Sequence, residues 1–599
     1  MFDAFKNIMN SPSKAWSAST EDGEREMMKR LSQQTEIRIY VDNAPNFGNQ
    51  ASSVLLMRTL VDRYGFRGAG KTVRMVYKTE RELETREKLS LLIQGFSYTN
   101  PEAVTYYHGV VIRFANIDAG LAAAPEVSFG FSGAADTSPD DNINWFATKL
   151  KVAYFLRMQP YLWPGIEQIQ FRRPLLIPFD FNEKVGKKNT FMQRGWYVDE
   201  SYWQPTIEDW TYYKTASNPG VGAEMAWHSV QAHAVVAFLM ENPQILFMPV
   251  YGVKGGGNQM LMFPDQILPT IISAALACSV LTAPSRPCIV LSLNDNISED
   301  DYNITAHVSK GGISREEVMS QRRCDDCQEA INELTDKLTQ IQRGKKSEAD
   351  PKEIQENLNE KNDELVQLNI ILDAQKERYS GRTEWLKKYD AKNRVKFYSS
   401  KPRSKSDFPN SGEGLQNGMK WLIGTAEPKV LFMELGALPT ILFNKIMSLA
   451  SLPRVFEGAN TANLNLNLGS CYLRMRSAFN GEGLDRYPSA ELGVKKFDDV
   501  ISKSYAAANA VTSTLYSEEL ILPPDFNSNM SIIMEYIYGF YIKRDEALTE
   551  YYREIRIFYH NPSYSKLAIG LAYLNLMCED VELKEKIESS KLSATGEIQ

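Results

Sequence analysis

The chain has 599 residues, enough for two or more domains with sizeable apolar cores. Hydrophobic residues make up 43% of it and charged residues 24%, which is ordinary for a globular protein. The net charge of −7 argues against nucleic acid as the main partner, and six cysteines are too few for a disulfide framework.

Strand and helix patterns alternate through the first half of the chain. An apolar strand at 37–41 is followed by a turn-rich loop at 42–49, a helical pattern at 50–64 and a second strand at 73–77. Further strands are predicted at 109–114, 127–131, 175–179, 245–250 and 289–293, and helices at 144–156, 225–240 and 266–280. We therefore predict a Rossmann-like α/β domain over 36–311, preceded by an N-terminal extension, 1–35.

Residues 314–379 differ from their surroundings because they are highly charged and carry apolar residues at heptad-like spacing. These apolar residues are Ile331, Leu334, Leu338, Ile341, Ile354, Leu358, Leu365, Leu368 and Ile371. Gly344 and Pro351 interrupt the pattern, so two long helices joined by a turn are expected. We predict a projecting antiparallel helical hairpin within an insertion at 312–392.

A second α/β domain is predicted over 393–545, with strands at 395–398, 430–433, 455–457 and 472–474. Helices are expected to begin near residues 412, 438 and 460. C-terminal helices and a tail would occupy 546–599, and segment 557–578 is a candidate to cross back to the first domain. No stretch has the length and uninterrupted apolar character of a transmembrane segment.

Segment 453–464 carries the most information about function. It consists of a short apolar strand, a small polar turn and the start of a helix. Asn460 and Thr461 are able to cap that helix, Asn463 lies one turn further on, and Gly458 allows close approach of a ligand. Free N–H groups and the positive end of the helix dipole favour a diphosphate there. The alternative is an ordinary capped helix of an α/β domain.

Two residues near these strands are candidates for holding a nucleotide. Glu457 can accept two hydrogen bonds from a ribose diol, or it is a surface carboxylate favoured by the helix dipole. Gly436 follows the strand at 430–433 and either shapes the nucleotide pocket or serves as a plain turn glycine.

The first loop supplies a candidate general base. Asp42 ends the first strand, and ligands of open α/β sheets bind beyond the carboxyl ends of strands. Its carboxylate could take a proton from an acceptor if desolvation raises its pKa, or it could only bond its own loop. A glycine-rich loop at 252–259, with Lys254, Gly255 and Gly256, is either a cleft loop or a plain connector. Asn49 is predicted to face the same cleft.

The sequence of the first loop resembles the VDNFGD opening of the protein-arginine rhamnosyltransferases that modify elongation factor P, interrupted by residues 44–46. Segment 457–461 resembles the RGEDS donor motif of that family in shape and placement. Asn49 stands where the family has a second loop aspartate, Glu457 where it has arginine, and Ala459 where it has glutamate. The resemblance therefore implies a two-Rossmann-domain (GT-B) glycosyltransferase more than arginine rhamnosylation. The size and the hairpin are similar to those of bacterial effector glycosyltransferases.

Other clusters leave structural and functional interpretations open. The aromatic segment 196–213 also holds carboxylates, so it either binds sugar or packs in the core. His228 and His233 are not placed on one helix face for a metal, and Cys324 and Cys327 have no second ligand pair nearby. No metal and no cofactor beyond a nucleotide-sugar co-substrate is predicted.

The predicted fold class is α/β and GT-B-like, with two Rossmann-type domains facing a cleft and an inserted helical hairpin. The predicted activity is glycosyl transfer from a nucleotide-sugar to a protein or other acceptor, in the cytoplasm or in a host cytosol after secretion by a dedicated system. The alternatives are a nucleotide-sugar epimerase of the same fold and a non-catalytic scaffold that binds through the hairpin. The predicted site residues are Asp42 as base; Glu457, Gly458, Asn460, Thr461, Asn463 and Gly436 for the donor; and Asn49, Lys254, Gly255 and Gly256 as cleft loop residues.

Overall fold

The computed structural model describes residues 14–43, 47–100, 104–133, 143–158, 169–171, 202–252, 264–293, 297–344, 350–456, 459–469, 471–474 and isolated residues between 536 and 582. The elements of the first half are α1 (Lys14–Gln33), β1 (Glu36–Val41), α2 (Phe47–Arg63), β2 (Thr72–Tyr77), α3 (Glu82–Leu92), β3 (Thr105–Tyr107), β4 (Val110–Asn116), β5 (Val127–Ser132), α4 (Ile143–Leu150), β6 (Val152–Met158) and β7 (Ile169–Phe171). The later elements are α5 (Ile207–Tyr213), α6 (Ala223–Glu241), β8 (Leu246–Val250), α7 (Pro264–Leu281), β9 (Cys288–Ser292), α8 (Glu299–Ser309), α9 (Arg315–Gln342), α10 (Pro351–Lys388), α11 (Ala391–Arg394), β10 (Val395–Ser399), α12 (Gly412–Ile423), β11 (Val430–Glu434), α13 (Thr440–Ser448), β12 (Arg454–Phe456), α14 (Ala459–Leu468) and β13 (Tyr472–Arg474).

The first sheet has the strand order β3-β4-β2-β1-β5-β6-β7. Its central strands are parallel, and only the edge pairs β3–β4 and β6–β7 are antiparallel. The chain builds outwards from β1 through β2 to β4 and then returns to the other side of β1 with β5. This reversal leaves a crevice at the carboxyl ends of β1 and β5, where ligands of such sheets bind.

The second sheet has the order β10-β11-β9-β8-β12-β13, and every pair in it is parallel. Its reversal point lies between β8 and β12. Together the two sheets make a mixed α/β protein with two Rossmann-like units, as the alternating patterns predicted.

The assignment of two strands to the first domain, 36–311, was wrong. The strands predicted at 245–250 and 289–293 are β8 and β9, and they pair with β11 and β12 in the second sheet. Both are buried at every position, so their sequences fit any fully buried parallel strand and carry no mark of the sheet they join.

The predicted helical hairpin is formed by α9 and α10. Ser314 caps α9 in a capping box with Glu317, and Asp350 caps α10 just before Pro351. The hairpin leaves the second unit between α8 and β10, so it is an insertion within that unit and does not separate the two units. Ile371, which the spacing placed between the helices, is 48% exposed, and Leu372 is buried there instead.

The helix predicted at 144–156 is shorter than expected. It ends at Leu150, Lys151 adopts a left-handed conformation with φ of 51°, and β6 begins at Val152. The residues that follow pair with β5, and this pairing overrides the helical periodicity of the segment.

Described residues near both ends of the chain pack in the core of the first sheet. Met27 and Leu31 of α1 are fully buried in this core, so the predicted extension, 1–35, is part of the first unit over its described residues. Leu571 and Leu574 lie in the same core, whereas Tyr552 packs in the core of the second sheet. The predicted return of the C-terminal segment to the first unit is therefore confirmed. No helix in the described part of the chain is long and apolar enough to span a membrane.

Candidate functional site

The reversal points of the two sheets meet through the side chain of Asn460, in the first turn of α14. The Asn460 Nδ2 donates to the Gly48 carbonyl at 2.7 Å, and the Ser52 hydroxyl donates to Asn460 Oδ1 at 3.1 Å. Gly48 and Ser52 belong to the first two turns of α2, which follows β1. The helix at the reversal point of each sheet therefore touches the other at its N-terminal end.

This contact gives the site an electrostatic character. The first N–H groups of α2 and α14 have no partners within their helices, and each helix dipole is positive at this end. Two such ends directed at one region favour an anion more than either alone. Charged oxygen atoms, as in a phosphate or diphosphate, match this arrangement.

Asp42 follows directly after β1 and is fully buried. The side chain of Asn49 donates to Asp42 Oδ2 at 3.1 Å, and the side chain of Gln50 donates to the Asp42 carbonyl at 2.7 Å. These bonds stabilise the junction between β1 and α2. Asn49, predicted as a cleft residue, is itself 2% exposed and serves this junction.

The end of β5 approaches α2 so closely that only glycine fits. A Cβ on Gly133 would lie 2.5 Å from the Ser52 carbonyl oxygen. Gly48, Ser52 and Gly133 were not identified from the sequence. Gly48 and Ser52 are four residues apart in the helix that follows Asp42, so they lie on one helix face. This spacing of small residues is the sequence feature that could have identified them.

The donor helix begins one residue earlier than predicted. Because α14 starts at Ala459, Asn460 lies within the first turn and its side chain contacts the first unit, so its predicted capping role was wrong. Thr461 and Asn463 are buried, and their carbonyls accept bonds from the asparagine side chains one turn further on. The predicted residues Glu457, Gly458, Lys254, Gly255 and Gly256 lie outside the described residues.

Gly436 is not close to Asn460. It follows β11, and β9 and β8 lie between that strand and β12, a separation of roughly 14 Å at the usual strand spacing. A Cβ on Gly436 would lie 1.9 Å from the His228 ring, and His228 Nδ1 is 3.2 Å from the Ala437 carbonyl oxygen. Gly436 therefore allows α6 to pack on the end of β11 and does not line the crevice beside β12.

A buried ion pair fixes the same edge of the second sheet. Glu434 is fully buried, and the Arg403 guanidinium donates to both of its oxygens at 2.9 and 2.7 Å. The Ser399 hydroxyl donates a third bond at 2.6 Å. Burial lowers the pKa of Arg403, but the bonds to Glu434 outweigh it and raise the pKa above its ordinary value. The pair lies beside β10 and β11, on the side of the sheet away from β12.

The described aromatic residues of segment 196–213 pack in or against the core, which was the alternative to sugar binding for this segment. Trp203, Trp210 and Tyr213 are buried with the second sheet. The Tyr202 hydroxyl donates to Asp62, near the C-terminal end of α2, at 3.0 Å. The second unit therefore contacts α2 near both ends, through Asn460 and through Tyr202.

In the part of the chain that the structure describes, no group of three or more His, Cys, Asp or Glu side chains is arranged to hold a metal ion. Cys324 and Cys327 are buried in the hairpin, where the Cys327 thiol donates to the Lys361 carbonyl at 3.3 Å. The sequence matches no family model, and no curated protein matches it.

Proposed function

We propose that the protein is a GT-B-type glycosyltransferase that binds a nucleotide-sugar between its two Rossmann-like units. The observation that carries this proposal is the contact of Asn460 with Gly48 and Ser52. It brings together the reversal points of two parallel sheets and directs two helix N-termini at one region. A nucleotide-sugar has a diphosphate at its centre, which is the group that such helix ends bind.

The chemistry would transfer a glycosyl group to a hydroxyl or nitrogen of a protein or other acceptor. The bond between the anomeric carbon and the diphosphate breaks, the bond to the acceptor forms, and the acceptor loses a proton. The N–H groups of α14, with those of α2, would stabilise the charge on the leaving diphosphate.

Asp42 is the candidate to take the acceptor proton, because it is the carboxylate at the junction of β1 and α2. Its burial and its bond from Asn49 also suit a purely structural role. Removing the charge by Asp42→Asn distinguishes these roles. Loss of a base would slow transfer, whereas loss of a residue that only stabilises the junction would lower the stability of the protein.

A thermal-shift screen with UDP-, GDP- and dTDP-sugars tests the proposal, because ligand binding to the native state raises the melting temperature. The binding nucleotide-sugar is then incubated with the protein, and the products are analysed. Free nucleotide together with a glycosylated acceptor would establish transfer, and an epimerised sugar with the diphosphate intact would establish epimerisation instead. If no nucleotide or nucleotide-sugar binds, the proposal fails and the scaffold alternative gains support.

A further inference from the structure

A second polar site lies at the carboxyl edge of the first sheet, on the side covered by α4. Tyr40 of β1, Ser132 of β5 and Arg157 of β6 are aligned neighbours in the parallel sheet. Aligned residues of neighbouring strands point to the same face. The Tyr40 ring lies 5.0 Å from the Phe146 ring, and Arg157 Cζ lies 5.7 Å from the Phe146 centroid. Phe146 belongs to the first turn of α4. Because Ser132 lies between Tyr40 and Arg157 in this row, its side chain points to the same face, which the start of α4 covers.

The Ser132 hydroxyl is the unusual feature of this row. Its side chain is fully buried, and its Oγ has no hydrogen-bond partner. A buried hydroxyl without a partner is unfavourable, because it has lost its bonds to water and gained none. Its place in the row, between two residues that contact Phe146, turns the hydroxyl towards the first turn of α4. The first N–H groups of a helix have no partners within it, and like a hydroxyl they donate to the oxygen atoms of an anion.

Two cations lie close to aromatic rings of the first turn of α4. Lys78, just after β2, has its Nζ 5.2 Å from the centroid of Trp145, and Arg157 lies over Phe146. Both cations also make other contacts. The dipole of α4 adds to the same field. The hydroxyl, the N–H groups and the two cations together would favour the binding of an oxyanion.

We propose that the start of α4 and Ser132 form an oxyanion site, which holds a phosphate or carboxylate group. Residues 134–142, which join β5 to α4, lie outside the described residues, and the site is defined without them. The site belongs to the first sheet and is separate from α14. In a glycosyltransferase this site would hold an acidic group of the acceptor, an assignment that rests on the proposed function.

Thermal-shift titrations with inorganic phosphate and with acetate test the site in the full chain. The parent protein should be stabilised by the anion, and Ser132→Ala should weaken that binding roughly tenfold, the usual effect of one lost bond to a charged group. Without anion, Ser132→Ala should melt at the parent temperature or above it, because it removes an unpartnered hydroxyl. This combination distinguishes a ligand site from a structural role, which would lower the melting temperature.

Two cation variants complete the test. Lys78→Met should weaken phosphate binding, whereas Lys149→Met, a control at the other end of α4 that removes an exposed cation paired with Asp118, should not. The series is repeated in an Asn460→Asp background, in which the new negative charge opposes phosphate binding at α14, so that the remaining binding reports on the site at α4. Acetate binding as tight as phosphate binding assigns a carboxylate group, and binding of phosphate alone assigns a phosphate group.

The oxyanion site is refuted if neither anion stabilises the parent, or if Ser132→Ala leaves the stabilisation unchanged. Ser132→Ala should bind nucleotide-sugars like the parent protein. Phosphate binding that depends on Ser132, in a protein that binds no nucleotide-sugar, would refute the proposed function and leave the oxyanion site standing. Nucleotide-sugar binding without Ser132-dependent anion binding would refute the oxyanion site alone.

Discussion

Replacing Asn460 with aspartate tests whether the ligand between α2 and α14 is an anion. The aspartate still accepts the bond from the Ser52 hydroxyl. It loses the bond that Asn460 Nδ2 donates to the Gly48 carbonyl at 2.7 Å in the parent protein. The lost bond costs about 0.5–1.5 kcal/mol of stability, and the new charge at two helix N-termini offsets about 0.3–1 kcal/mol of it. The free energy of unfolding should therefore change by no more than about 1 kcal/mol.

The effect on ligand binding should be much larger. At an assumed separation of roughly 6 Å, a phosphate charge and the new carboxylate repel each other by about 3 kcal/mol at an effective dielectric constant of about 20. This repulsion corresponds to about a hundredfold increase in Kd. Asn460→Ala is the matched control, because it removes both bonds and adds no charge. Its loss of binding free energy should be about 0.5–1.5 kcal/mol, the net worth of an ordinary hydrogen bond.

Isothermal titration calorimetry with the best nucleotide-sugar, and with its uncharged nucleoside, measures both effects. The nucleoside has no phosphate, so it should bind the aspartate and alanine variants alike. If the nucleotide-sugar also binds the two variants alike, the charged part of the ligand does not lie between α2 and α14. That result would refute the reasoning about the helix ends even if transfer activity were found.

Three further outcomes are expected. Asp42→Asn should bind nucleotide-sugar normally and transfer at least about a hundredfold more slowly if Asp42 is the base, whereas an unchanged rate would leave it only a structural role. Replacing residues 324–375 with a Gly/Ser linker should leave a folded, nucleotide-binding protein with weaker acceptor or partner binding, as judged by circular dichroism and calorimetry; failure to fold would contradict this. Arg403→Met should lower the free energy of unfolding in urea by about 3–5 kcal/mol, because it leaves Glu434 buried without its counter-charge, and a loss below about 1 kcal/mol would be inconsistent with that.

Much of the local structure followed from the sequence. The hairpin was predictable because its heptad-like spacing, the capping residues Ser314 and Asp350, and Pro351 all act over a few neighbouring residues. The strands β1 and β2 and the start of α14 were placed to within a few residues for the same reason. Hydrophobic periodicity indicates which face of an element is buried, but it does not indicate which other element covers that face.

The tertiary structure alone decided which elements meet. The buried strands β8 and β9 are apolar throughout, so only their pairing shows that they belong to the second sheet. The sequence singled out Asn460 for its place at a helix start, but its partners Gly48 and Ser52 lie more than 400 residues away along the chain. Likewise, the burial of Asp42 and the unpartnered Ser132 hydroxyl depend on contacts between separate segments. Local sequence determines which conformation a segment adopts, whereas long-range packing determines which side chains share a site.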